Sequence, residues 1–330
     1  MLELHAAGVI GRGEAAPLPG YSRDTLATCE AELEGCADRL GEIDVHGPPL
    51  EVLRLAVARA GLRAPAAVFA LETALLDLVS TIQGRPAWAL LRGDDQARPI
   101  PLSAIAEGAT PALLADAAQR AQERGIQVVK LKVGGPESAS RDPERLAAVR
   151  ARIGPRMAIR LDANQTLSAD HLEEALAMLA TFGPELIEEP STPERSLALR
   201  ASPIPFAFDE SLMLADWRAR IAQAATHGTY RAVVLKPMAL GGFVQCLAIA
   251  DAARERGLAV AVTHVFDGPI GSAAAACLAL AIRGEVLPCG LDAHGRLERS
   301  PAAITPTHIV PTVVAGLGIE PLLQEKASIR

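Results

Sequence analysis

From about residue 99 onward the chain repeats one pattern: a short apolar run, a turn, then a longer amphipathic stretch. No other feature limits the fold so tightly. Eight such runs read as strands, at residues 99–104, 127–132, 157–162, 185–189, 204–209, 231–236, 258–263 and 286–291. Helix patterns with readable ends lie between them. Ser168 reads as the N-cap of a helix burying Leu172, Leu176 and Leu179, with Gly183 as its stop. Asp142 followed by Pro143 marks another start, because proline lacks the N–H that a first turn leaves unpaired. Gly125 and Gly257 close two more helices just before strands. Strands alternating with helices make a parallel sheet, and eight of them favour closure into a modified TIM-type (β/α) barrel. A doubly wound open sheet is the structural alternative, but its G-x-G-x-x-G after the first strand is missing.

Residues 1–98 follow another rule. They hold helical stretches at 22–41 and 49–91, preceded by a short run ending in Gly11, Arg12 and Gly13. This part is expected to be an α+β cap over one end of the barrel. The tail mixes β-branched residues and prolines over 304–314, which reads as extended edge segments returning to the cap. The expected organisation is a capping domain at 1–98, a catalytic barrel at 99–303 and a tail at 304–330.

Composition removes several classes of function. A net charge of −7 and a pI near 5.6 argue against a nucleic-acid partner, which would want a basic patch. No uninterrupted apolar run approaches the roughly 18 residues of a spanning helix, and the N-terminus lacks the pattern of a signal peptide. Five scattered cysteines without a C-x-x-C pair read as free thiols in a reducing cytoplasm. The expected partner is a small molecule, with the oligomeric state left open. Of 32 basic residues only four are lysine: Lys130, Lys132, Lys236 and Lys326. In a chain that fills its surface with arginine, three lysines at the ends of apolar runs call for a reason, and lysine, unlike arginine, can act as a base.

The active face of such a barrel lies at the strand C-termini. Successive runs end in Lys130 and Lys132 (VVKLK), Asp162 (AIRLDAN), Glu188 and Glu189 (LIEEP), Asp209 and Glu210 (FAFDES), and Lys236 (AVVLKP). Three acids forced together repel unless a cation lies between them, and the all-oxygen set Asp162, Glu188 and Asp209 suits Mg²⁺. Solvated acids in ordinary strand-to-helix loops are the competing reading. Lys130 and Lys132, two apart on a strand, share a face, and Lys236 is expected across the site from them. Mutual repulsion and a nearby metal are expected to lower a lysine's pKa, freeing an amine near pH 7. The same lysines paired structurally with the acids are the alternative. The combined chemistry is removal of a proton beside a carboxylate, with the metal stabilising the enediolate.

These motifs, K-x-K, DAN, EEP, DES and KP in that order at barrel spacing, resemble the enolase superfamily over nearly the whole chain. More narrowly they resemble its muconate-lactonizing subgroup. Gly11 to Leu26 (GRGEAAPLPGYSRDTL) resembles the N-terminal segment of o-succinylbenzoate synthases, and ALETALLDL from Ala70 and CGLD from Cys289 are compatible with it. The resemblance implies dehydration of 2-succinyl-6-hydroxy-2,4-cyclohexadiene-1-carboxylate to o-succinylbenzoate, in menaquinone biosynthesis. It implies Lys132 as base, Lys236 as the opposing cation, and Asp162, Glu188 and Asp209 as ligands of Mg²⁺. Lys130, Asn164, Glu210, Asp267, Gly268 and Gly290 are implied as supporting or substrate-binding residues, and His264 as either a substrate contact or a filler. The front departs from the family: ten residues precede Gly11, where relatives carry about one more strand and a capping loop, so either a misassigned start or an abbreviated cap is expected. Rival readings are an N-succinylamino acid racemase or dipeptide epimerase of the same subgroup, a non-catalytic carboxylate-binding relative, and a Schiff-base aldolase.

Overall fold

The computed structural model describes residues 1–135, 139–292 and 300–319. The chain opens with an antiparallel hairpin of β1 (Leu2–Ala6) and β2 (Val9–Gly13). Helices α1 (Leu26–Leu33), α2 (Cys36–Leu40), α3 (Pro49–Ala60), α4 (Pro65–Ile82) and α5 (Ala87–Arg92) follow. Proline opens α3 and α4 and caps α5, and because its ring disfavours helix in the residue before it, the long stretch read at 49–91 divides into three. By length and composition α4 is apolar enough to cross a membrane, yet 78% of it is buried inside the protein. Its two acids are spent within the fold. Glu72 accepts from the amide of Val244, and Asp77 accepts from the amides of Arg12 and Leu317.

The hairpin lies directly on α4. A Cβ at Gly13 would fall 1.9 Å from the carbonyl oxygen of Ala70, and one at Gly11 would fall 2.1 Å from that of Ala74. The absence of side chains at these alternate strand positions is what lets the two backbones touch.

Next come β3 (Ile100–Pro101), β4 (Ala104–Ile105), α6 (Pro111–Glu123), β5 (Val128–Lys132), α7 (Asp142–Ile153), β6 (Ala158–Asp162), α8 (Leu172–Ala180) and β7 (Leu186–Glu188). They are followed by α9 (Pro193–Ala198), β8 (Phe206–Phe208), α10 (Trp217–Ala225), β9 (Tyr230–Leu235), α11 (Pro237–Leu240), α12 (Gly242–Arg254), β10 (Ala259–Val262) and α13 (Pro269–Ala281). Strands β4 to β10 form one parallel sheet in chain order. The run read at 286–291 joins its two edges, though by isolated bridges rather than as an unbroken strand. Val286 and Gly290 bridge Val260 and Thr263, and Cys289 bridges Leu102. Pro288 in the middle has no N–H to give a ladder, which accounts for the interruption. The sheet thereby curls into a modified TIM barrel.

Two further sequence expectations shift. The run at 99–104 splits, with β3 pairing antiparallel to β11 (His308–Ile309) of the tail and β4 joining the barrel. Helix α8 is preceded by a turn, so its N-cap is His171 instead of Ser168, while Leu172, Leu176 and Leu179 are buried as read. The tail runs back along the N-terminal helices: the Trp88 indole donates to the Thr312 carbonyl at 2.9 Å, and the Ala87 amide donates to the Gly316 carbonyl at 2.9 Å. All five cysteines are buried free thiols.

Strand alternation sends every second side chain inward. The inward set includes a separate small cluster of Leu186, Ala207, Ala232, Val234, Ala259, Ala261 and Leu287. Above these residues, at the strand C-termini, the same alternation turns polar.

Candidate active site

The register places the site. Lys132 of β5 is level with Asp162 of β6, which is level with Glu188 of β7. Asp209 follows β8, and Lys236 follows β9. Because the strands are neighbours in chain order, the rim reads lysines, acid, acid, acid, lysine. The three carboxylates offer oxygens within 4.8 Å of one another, and all three are buried. The amine of Lys130 lies 2.8 Å from Asp162 Oδ2 and 2.9 Å from Glu188 Oε2, and that of Lys236 pairs with Asp209. Lys132 is exposed, and its side chain makes no hydrogen bond or ion pair among the described residues.

Electrostatics follow from this packing. Burial works against charge on Lys130 and Lys236, but Glu188 and Asp162 at the first and Asp209 and Asp162 at the second outweigh it, so both amines titrate above an ordinary lysine. Among the protein's own charges, attraction to the acids exceeds the repulsion between amines at these two, whereas the expected lowering included the charge of a bound metal. At Asp162 burial opposes ionisation, yet Lys130 and Lys236 prevail and hold it low. Burial raises Glu188. It also pushes Glu210 up to about 8, with the neighbouring Asp209 adding to the rise.

The remaining expected residues take several places. Asn164 donates from Nδ2 to Glu210 Oε1 at 2.7 Å and stands at φ 43°, a left-handed conformation that asparagine tolerates. The amide of Gly290 donates to the Val262 carbonyl, and a Cβ on Gly290 would fall 2.7 Å from Thr263 Oγ1. Two residues are engaged with neighbouring parts of the chain. Asp267 is fully buried, accepting from the Val265 amide at 3.1 Å, with burial pushing it up to about 7. Gly268 is turned to the N-terminal segment, donating its amide to Glu14 at 2.6 Å. The ring of His264 accepts from the Phe266 amide at 3.0 Å through Nδ1, which gives this side chain a role in shaping its own loop.

Four residues were given no role by the motif reading. Tyr21 accepts from Lys236 Nζ at 2.8 Å and donates to Asp209 Oδ1 at 3.0 Å, while burial and Asp209 keep its phenol protonated. Glu14 ties down the segment that carries it. Glu189, at φ 39°, accepts from the amides of Asp209 and Ser211 and from Ser211 Oγ, so it sets the loop that presents Asp209. Arg160 lies beneath Asp162, bonded to Glu185 and to the Pro288 carbonyl, and so braces the barrel across its interior. Glu189 belongs to the EEP motif and Arg160 lies two residues before Asp162 on the same strand face, so the motif could have flagged the first and alternation the second.

The acid set fits a hard divalent cation: three buried oxygen donors converge, and two ammonium groups already press positive charge against them. Comparison with known proteins agrees. The model of the enolase C-terminal domain-like family matches residues 112–326. An L-Lys-D/L-Arg epimerase of Methylococcus capsulatus is 32% identical over 84% of this chain and 77% of its own length. An o-succinylbenzoate synthase of Desulfotalea psychrophila is 28% identical over 81% and 78%, and muconate cycloisomerase 1 of Acinetobacter baylyi is 26% identical over 95% and 86%. The fold is that of a dipeptide epimerase from Enterococcus faecalis, with a TM-score of 0.83, 24% identity and coverage of 96% and 92%. That epimerase has also been solved with Mg and the dipeptide L-Leu-L-Tyr. Members of this family bind Mg²⁺, and Asp162, Glu188 and Asp209 form an acidic triad that can hold it here. With its barrel, its acid triad and these relatives, the chain belongs to the enolase C-terminal domain-like family, in the muconate-lactonizing branch of the enolase superfamily.

Proposed function

We propose that the protein is an Mg²⁺-dependent carbon–oxygen lyase of the o-succinylbenzoate synthase kind, converting 2-succinyl-6-hydroxy-2,4-cyclohexadiene-1-carboxylate to o-succinylbenzoate and water. The observation that carries this reading is the order of the rim, with lysines on both flanks of the acid triad. Bound there, Mg²⁺ supplies positive charge that acidifies the proton beside a substrate carboxylate. Lys132, exposed at one flank, takes that proton. Lys236 faces the substrate from the other flank as a cation. Asp162, Glu188 and Asp209 hold the metal, Lys130 and Glu210 keep the acids in place, and Asn164 orients Glu210.

Charge favours the cyclohexadiene substrate. The cyclohexadiene substrate carries carboxylates and no ammonium, whereas a dipeptide brings an ammonium that wants an acid. Asp292, which follows the last barrel segment, is spent on Arg124 at 3.0 Å, and Glu210 accepts from Asn164. With Asp292 already paired to a cation, charge favours the substrate that carries carboxylates alone.

A racemase or epimerase is the second reading, favoured by the same flanking lysines, each able to work on one face of an α-carbon, and by the 32% identical epimerase. The deciding experiment follows aromatisation of the cyclohexadiene substrate with Mg²⁺ and with EDTA, beside deuterium exchange into N-succinylamino acids and dipeptides. Turnover that EDTA abolishes is expected. Exchange into a dipeptide without aromatisation would transfer the assignment to the epimerase, and inertness towards every substrate would leave a carboxylate-binding protein.

A further inference from the structure

Tyr21 enters the site from the far end of the chain, on a stretch without regular structure between β2 and α1. That stretch is fixed to the barrel at several points. Glu14 accepts from the amides of Gly268 at 2.6 Å and Gly271 at 3.2 Å, at the start of α13. The amide of Ala16 points at Met238 Sδ on α11, at 3.0 Å. A tight turn follows, in which the amides of Tyr21 and Ser22 both donate to the Leu18 carbonyl. These contacts make residues 14–22 a strap across the loops after β9 and β10, and its last fixed point is the Tyr21 hydroxyl.

The hydroxyl has one proton to give and lone pairs to accept. An ammonium can only donate, so with Lys236 Nζ donating at 2.8 Å, the phenol proton is directed to Asp209 Oδ1 at 3.0 Å. The direction of the relay is fixed by chemistry. The ring also lies against the same ammonium, whose Nζ is 4.3 Å from its centroid. We infer that Tyr21 is a positioning residue: its hydroxyl locks the rotation of the metal-holding carboxylate Asp209 to the placement of Lys236, and the Glu14–Ser22 strap delivers it. This inference rests on the reading of the acid triad as a metal site, and not on which substrate is turned over.

Tyr21→Phe tests it, since the ring and its packing stay and the hydroxyl goes. Manganese binding to the substrate-free protein, followed by electron paramagnetic resonance, gives a readout apart from activity. Groups that orient a ligand usually contribute about 10- to 100-fold to metal affinity or activity. A Mn²⁺ Kd roughly tenfold weaker is expected, with an altered spectrum, a lowered kcat and a KM close to wild type. Glu14→Ala, which loosens the strap without touching the acids, should move the Kd in the same direction by less. Affinity and spectrum unchanged in both variants would overturn the role given to Tyr21. Wild-type protein that binds no Mn²⁺ would overturn the metal reading itself, and is recognised before any variant is made.

Discussion

Replacing Lys130 with methionine keeps the unbranched stem as far as Cε and removes the charged group, leaving Asp162 and Glu188 buried without the ammonium that lies 2.8 and 2.9 Å away. Their side chains are only 3% and 4% exposed, so water cannot take over the ammonium's role. Removing one partner of such a buried pair costs about 3–5 kcal/mol. Unfolding entropy of about 2.1 cal/mol/K per residue gives a chain of this length roughly 0.7 kcal/mol/K, so the midpoint should fall by about 4–7 °C in EDTA. Magnesium should narrow the gap, because in the wild type the ammonium competes with the metal for the same oxygens. At 100 times its Kd a bound cation adds about 2.7 kcal/mol, or roughly 4 °C. Scanning calorimetry of both proteins in EDTA and in excess Mg²⁺ provides the comparison. A variant within about 1 °C of wild type in EDTA, or an equal Mg²⁺ increment in both proteins, would refute the claim that this ammonium neutralises the metal-binding acids.

Lys132→Ala should lower turnover by about 10²- to 10⁴-fold with little change in midpoint, since the side chain is exposed and unpaired among the described residues; an equal loss of stability would mean that Lys132 is structural. Glu72 gives a pH dependence. Burial pushes its carboxyl up from 4.5 to about 7, so the native chain keeps a proton that the unfolded chain releases. Its contribution is full below about pH 4.5 and is lost as the pH rises through about 7. Glu72→Gln keeps an oxygen for the Val244 amide and cannot ionise, so its midpoint should exceed that of the wild type near pH 8 and converge with it at acid pH. Parallel curves would contradict this.

The barrel and the acid–lysine rim were legible in the sequence because both rest on local rules. A βα unit repeats within a few tens of residues, and alternation fixes which side chains of a strand point inward. The finer losses have equally physical causes. Proline removed ladder hydrogen bonds from the first and last barrel runs, so one split and the other closes the ring by bridges. The direction in which the acids pull Lys130 was not legible, because it depends on which charge is nearest, and Lys130 lies against two acids.

By itself, then, the sequence determined the order of the strands and the residue carried at each strand end, since both follow from spacing along the chain. Tertiary structure alone decided what comes to those residues from elsewhere. The contacts of Tyr21 with Asp209 and Lys236, and of Glu14 with Gly268, join positions 188, 215 and 254 residues apart. No periodicity encodes such a meeting. It depends on the hairpin seating on α4 through Gly11 and Gly13, on a strap of fixed length, and on a barrel already closed beneath it.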